Sequence, residues 1–293
     1  MTEVIQQLFN GLGLGTTYAL IALAFALQFG VARVLNLAIG EVFTVGAFAA
    51  LTAGMSFGSS AVSMASAIVA SAIVGLIIYT TAIRPLGDVT GMKSHRHLAA
   101  LVATVGWSIA IQNGLLILMG GYPRPVQSLF VEGQVRMGEV VIPAPLLFNT
   151  FAGAFLVFSL LALVWRTRFG LRVRAIASNR ELALASGISA INYEVATVLI
   201  SCALAGIAGA LTADAVGAVS PFTGIGYGLK GLIIVIVSGP GNLVRSVMVA
   251  LALGFTETLV VAVGSSSLRD LVAYSLLVGA VAFRPSHSPS ANV

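Results

Sequence analysis

The chain has 293 residues, of which 58% are hydrophobic and only 9% are Asp, Glu, Lys or Arg, with 32 glycines. A soluble domain carries roughly 25% charged residues, so this chain lacks the groups that coat a water-facing exterior, and most of its surface must meet lipid. Soluble enzymes, nucleic-acid binders and disordered proteins are thereby excluded, and the net charge of +5 fits basic loops on one side of a membrane better than a polyanion ligand.

A helix rises 1.5 Å per residue, so about 20 uncharged residues cross a hydrocarbon core of roughly 30 Å. The first uncharged run, Val4 to Ala32, predicts one transmembrane helix. Met-Thr-Glu before it lacks the positive region of a signal peptide, and the apolar stretch outruns an h-region of about 7 to 15 residues, so it is expected to remain as a span. Thr16, Thr17 and Tyr18 form a polar cluster inside this run. Their hydroxyls are suited to a solute path; the alternative is that the threonines bond back to their own helix while Tyr18 packs between helices. Asn36 and Glu41 follow in a stretch that is otherwise apolar on both sides, where Glu41 caps a helix break or lines a cavity, the alternative being an interface position.

Val42 to Ile83 is long enough for two helices, with a break expected in the Gly54 to Ser60 cluster. Arg84 to His97 reads as a loop carrying Arg84, Lys93 and Arg96, in which His95 and His97 are solvated rather than a metal pair. Leu98 to Pro123 predicts a span holding Gln112 and Asn113, further path candidates, and Gly120 to Glu139 has the mixed charge, proline and glycine of an extracytoplasmic turn region. Val140 to Trp165 predicts the next span.

The segment RTRFGLRVRAIASNRELALASGI, Arg166 to Ile188, is the most specific feature of the chain. Residues 174 to 186 contain few β-branched positions and predict a short amphipathic helix stopped by Gly187. A helix lying outside the bilayer between two spans needs a docking partner. A solvated basic loop is the plainer alternative. Val195 to Ala213 predicts another span; it contains Cys202, the single cysteine, so neither an internal disulfide nor a cysteine-based metal site is expected. Beyond it, Asp214, Lys230, Arg245, Glu257 and the Arg269/Asp270 pair interrupt the apolar sequence. These pieces predict discontinuous helices and short reentrant segments, with most of the charges snorkelling to an interface. The expected fold is all-α: a polytopic helical membrane protein of about eight or nine transmembrane helices. It forms a single domain over 1–293, with a cytoplasmic segment at about 166–194 and a short disordered tail at 285–293.

The two basic segments, Arg84 to His97 and Arg166 to Glu181, are assigned to the cytoplasm by the bias of Lys and Arg, and three crossings before Arg84 then place the N-terminus outside. No HExxH, GxSxG or phosphate-binding loop occurs, and no intramembrane Ser/Lys or Asp/Asp pair is evident. The chain must therefore draw energy from an ion gradient or from a partner. Few ionisable residues stand at mid-span, as an ion-coupled transporter would need.

Several ordered motifs resemble the permease subunits of branched-chain amino acid ATP-binding-cassette (ABC) importers, the LivH type. FNGLGLGTTYALIALAFAL (Phe9 to Leu27) is similar to the opening helix of that family, LNLAIGE (Leu35 to Glu41) to its Asn-Phe-Ala-His-Gly-Glu stretch, and RAIASNRELALASGI (Arg174 to Ile188) to its coupling loop. SPFTGIGYGLKG (Ser220 to Gly231), SGPGN (Ser238 to Asn242) and the Arg269-Asp270 and Arg284-Pro285 pairs follow in the expected order. The chain departs from the pattern at Leu37, Ile39 and Ser220, which replace Phe, His and Asn, and at Pro240 and Arg245 in the glycine turn. The resemblance implies a non-catalytic subunit of an importer in the bacterial inner membrane. A second homologous permease, two ATP-binding subunits and a periplasmic substrate-binding protein would complete the importer. ATP and magnesium would be held by the partners, and no cofactor or metal by this chain. It further implies that Arg172, Arg174, Ala175, Asn179, Glu181, Ala183, Gly187 and Ile188 couple to the ATPase; Thr16, Thr17, Tyr18, Asn36, Glu41, Gln112 and Asn113 are expected to flank the path because their hydroxyl, amide and carboxylate groups can hydrogen-bond a zwitterion. Branched-chain or other hydrophobic amino acids are the expected cargo. Urea, short amides and aromatic acids remain alternatives, as does, more distantly, ion-coupled secondary transport.

Overall fold

The computed structural model describes residues 2–85, 93–127, 129–137, 140–239 and 241–263, together with 270, 271, 274, 275, 278 and 279. Among them, seven helices are long and apolar enough to cross a bilayer. They are α1 (Thr2–Ala32), α2 (Ile39–Phe57), α3 (Ser60–Ile78, continued by a π turn over Tyr79–Ile83), α4 (Lys93–Met119), α5 (Ala144–Arg166), α8 (Ala190–Val216) and α10 (Leu243–Val263). Two short helices, α6 (Arg168–Ser178) and α7 (Arg180–Ala185), connect α5 to α8, and α9 (Thr223–Ser238) is a shorter apolar helix. The all-α membrane architecture and the expected spans are thus present. The break between α2 and α3 falls at Gly58 (φ 60°) and Ser59, inside the predicted glycine and serine cluster.

Three expectations are corrected. The interrupted C-terminal region contains a full-length helix, α10, because Glu257 within it is paired rather than exposed to lipid. His95 and His97 fall in the first turns of α4 instead of a loop. Residues 174 to 186 form two helices, not one: the chain kinks at Asn179, whose side chain accepts from the Leu182 amide and restarts the helix as α7. The disordered tail and the Arg269 and Arg284-Pro285 positions lie outside the described residues.

α1 is the central helix. It packs against α10, α8, α5 and α9, and its residues Tyr18 to Leu27 are buried. α2, α3 and α8 form a second layer. Lipid offers apolar helices no hydrophobic reason to associate, so close approach of backbones at small residues must supply the contact. That is how these layers meet: Gly46 faces Gly206, Gly209 lies on the Phe43 carbonyl, Gly15 faces Gly254, and Gly40 sits between Gly224 and Gly228. A Cβ on Gly40 would fall 2.6 Å from the Gly224 carbonyl oxygen. By contrast, α4 leaves most of its surface uncovered.

At the end opposite the basic segments, two short antiparallel ladders replace the predicted turn region. β1 (Arg124–Pro125) pairs with β4 (Ala218–Val219), and β2 (Gln134–Met137) pairs with β3 (Val140–Pro143). The buried Asp214, in the last turn of α8, accepts a hydrogen bond from the Leu129 amide and ties this cap down.

Gly209→Leu is expected to push α8 off the α2 backbone. Overpacking of this kind costs about 1–3 kcal/mol or more, and a thermal melt in detergent should show a lowered transition and poor recovery of folded protein.

Candidate functional site

α1 ends at Ala32, where Arg33 adopts a left-handed φ of 54°, alone among the described non-glycine residues. The chain then turns back through Val34 to Ala38 before α2 begins. Asn36 is buried and shapes this return: its Oδ1 accepts from the Ala38 amide at 3.1 Å and its Nδ2 donates to Gln28 Oε1 at 3.4 Å. Glu41 consequently lies in the first turn of α2 and is 2% exposed. The Ser108 hydroxyl of α4 donates to its Oε1 at 3.3 Å, while Oε2 has no hydrogen-bond partner among the described residues. Ser108 is 15 residues after Lys93 and 11 before Met119, roughly 22 and 16 Å along α4 at 1.5 Å per residue. Glu41 thus sits near the middle of a span, not at an interface. It borders a chamber of about 150 Å³ shared with Phe25, Gly40, Ser108, Gly224 and Gly228.

The polar cluster of α1 divides into two functions. Thr16 and Thr17 both donate back to the Gly13 carbonyl, at 2.9 and 3.2 Å, and Thr17 also meets Thr212 at 3.3 Å. The threonines therefore follow the self-bonding alternative. Tyr18 does more: its hydroxyl donates to Glu257 Oε2 at 2.7 Å and accepts from Lys230 Nζ at 3.2 Å. Lys230 and Glu257 form an ion pair at 2.8 Å with side chains only 6% and 1% exposed, and Lys230 also reaches Asp270 at 2.9 Å. Snorkelling to an interface was the wrong expectation for both. The sequence did contain the signal, since opposite charges inside neighbouring apolar runs are affordable in a membrane interior only when they meet. Tyr227 bridges the two groups, its ring 5.8 Å from Tyr18 and stacked 5.0 Å from Phe43 of α2. Gln112 and Asn113 are not brought to this cluster. They lie further along α4, where Asn113 is exposed and donates to its own helix at the Ile109 carbonyl.

The α6–α7 segment is anchored on one side and bare on the other. The Arg172 guanidinium donates to the Tyr193 hydroxyl, and Arg174 stacks 4.8 Å over the Trp165 ring. The Ala175 carbonyl accepts from the Asn179 amide at 3.0 Å. Arg180 pairs with Glu194 at 2.6 Å, and Tyr79 donates to the same carboxylate at 3.1 Å. Ala183 is buried, and the Ile188 amide returns to its carbonyl at 3.1 Å while the Gly187 amide meets Leu184 at 3.0 Å. With Gly187 at φ 78°, this is a Schellman stop, as the glycine predicted. Glu181, Leu182 and Leu184 point outward, the leucines 66% and 51% exposed. Arg33 joins this segment to the end of α1: its guanidinium donates to the Ala177 and Ser178 carbonyls at 3.0 and 3.3 Å, closing the C-terminus of α6.

Residues 7–281 match the family model described as the permease component of the branched-chain amino acid transport system. The chain belongs to this family. It is 32% identical over 96% of its length to the high-affinity branched-chain amino acid transport permease BraD of Pseudomonas aeruginosa, covering 94% of that protein. It is 29% identical over 94% of its length to LivH of Escherichia coli K12, covering 91% of it. A nucleoside ABC transporter permease, NupC of Lactococcus lactis, is 28% identical over 79% of this chain and is covered to 74%. Among solved structures, PsaBC from Streptococcus pneumoniae shares the fold at a TM-score of 0.53 and 14% identity, with 97% of this chain and 93% of that one covered.

Lys230→Met leaves Glu257 buried without its cation, an arrangement that costs about 3–5 kcal/mol. The single variant is expected to melt well below the parent in detergent, and the Lys230→Met/Glu257→Met double variant should recover most of the loss.

Proposed function

We propose that this chain is the transmembrane permease subunit of an ABC importer that carries branched-chain or other small apolar amino acids across the bacterial inner membrane. In this assembly it pairs with a second homologous permease, two ATP-binding subunits and a periplasmic substrate-binding protein. It forms the path but performs no chemistry itself, and its N-terminus faces the periplasm. The observation that carries the proposal is the α6–α7 segment. It lies outside the spans, is locked to α5 and α8 by Arg174, Arg180 and Ala183, and yet presents Leu182 and Leu184 bare. Apolar side chains on a rigid extramembrane helix are suited to a groove on a partner. The uncovered flank of α4 is where a second permease would pack.

Movement of the ATPases would be transmitted through this segment. Arg33 holds the end of α6 and is followed within eight residues by Glu41, so a displacement of the segment is delivered to the start of α2 with little slack. Glu41 lines the chamber and Gln112 and Asn113 do not, which favours Glu41 over them as a path residue. The chamber volume of about 150 Å³ is that of some five water molecules, which suits one small amino acid better than a nucleoside.

Reconstituted with its ATPases and second permease, the chain is expected to accumulate labelled leucine only with ATP on the ATPase side and binding protein on the other. Uptake without any ATPase subunit would replace the proposal with secondary transport. Ala183→Pro should keep ATP hydrolysis within about twofold while lowering uptake at least tenfold; normal uptake would remove the coupling role.

A further inference from the structure

Among the described residues, the buried charges of Glu194, Lys230 and Glu257 each meet an opposite charge, but Glu41 does not. Its Oε2 is buried, lacks a hydrogen-bond partner among the described residues, and belongs to a side chain lining a chamber. An oxygen left so in low dielectric is costly unless a partner arrives. Among the described residues nothing cationic lines the chamber: Ser108 is the other polar side chain, and the remaining walls are apolar groups such as Phe25, Leu37 and Val105, with glycine backbone at Gly40, Gly224 and Gly228. The mouth is bordered by Ile225 and Leu229, which are 40% and 46% exposed.

We infer that the chamber is a transient binding site for the ammonium group of a small apolar zwitterion. Glu41 Oε2 and the Ser108 hydroxyl receive the cation, and the apolar wall receives the side chain. The first turn of α9, which contributes Gly224 and Ile225, supplies the positive end of a helix dipole toward which the substrate carboxylate turns. One carboxylate and one hydroxyl hold an ammonium without a full cage of charges, so the site can release it to the far side. The close backbones of Gly40, Gly224 and Gly228 make the chamber a seam between α2 and α9. Any shift of α2 against α9 therefore changes its width directly.

The inference rests on the proposed importer function and adds the chemistry of the site. It is tested in proteoliposomes holding the complete transporter, with labelled leucine as the probe. Glu41→Gln keeps the size and removes the charge: uptake should fall at least tenfold while binding-protein-stimulated ATP hydrolysis stays within about twofold. Leu229→Trp, at the exposed mouth, should also block uptake in a normally assembled complex. It decides the matter if Glu41→Gln fails to assemble. Wild-type uptake should be unchanged when choline replaces all sodium and potassium. Parental uptake in Glu41→Gln, or in Leu229→Trp where Glu41→Gln cannot be assembled, overturns the inference, as does a requirement for an alkali cation in the wild type. Absence of ATP-driven leucine uptake in the wild type would instead overturn the importer function on which the inference rests.

Discussion

The close approach of helix backbones is the interaction on which the rest of this structure depends. Between helices surrounded by lipid, only packing, hydrogen bonds and lipid entropy favour contact. Here the packing is arranged around glycine: Gly46 on Gly206, Gly15 on Gly254, and Gly40 between Gly224 and Gly228. The last of these joins the first turns of α2 and α9, two helices that begin inside the protein, and so creates the chamber that Glu41 borders. Side chains in place of these glycines would separate α2 from α9 and open the seam. The site and the packing that stabilises the fold are therefore the same feature.

The few charges are placed under the same constraint. Lys230 and Glu257 neutralise each other between α9 and α10 with Tyr18 of α1 between them, so one polar cluster fixes three helices at defined rotations. Arg180 and Glu194 do likewise between α7 and α8, and Asp214 fixes the opposite cap through a backbone amide. Glu41 differs in that its Oε2, without a hydrogen-bond partner among the described residues, belongs to a side chain lining a chamber. Its connection to the basic end is short: Arg33 grips the final carbonyls of α6, Asn36 fixes the returning chain against Gln28, and α2 begins at Ile39. A segment with bare leucines at one end and a midspan carboxylate at the other has the arrangement required to convert an external push into a change in the chamber.

The spans were readable because about 20 uncharged residues have few other uses, and the Gly58 break and the Gly187 stop were readable because their backbone angles favour glycine. The role of Asn36 as a turn-former was not, since its partners Gln28 and Ala38 are identified only once the chain folds back on α1. Lys230 and Glu257 were misplaced at an interface because composition records a charge without its partner, and their pairing spans helices far apart in sequence. Thr16 and Thr17 illustrate the reverse. Their polarity suggested a path, and the fold adds what the sequence could not show, that each donates to the Gly13 carbonyl of its own helix. Asn179 was read as part of one helix, and only its side-chain bond to Leu182 reveals it as the start of another.

The central claim is that the Glu41 chamber lies on a route opened and closed by the ATPases, and accessibility of Ser108→Cys tests it most directly. The native Cys202 is fully buried, so background reaction with a membrane-impermeant maleimide will be small. In the complete transporter in nanodiscs, labelling at position 108 should change at least tenfold between nucleotide-free and ATP-trapped states and be slowed by leucine. Equal labelling in both states, with no protection by leucine, would contradict the account.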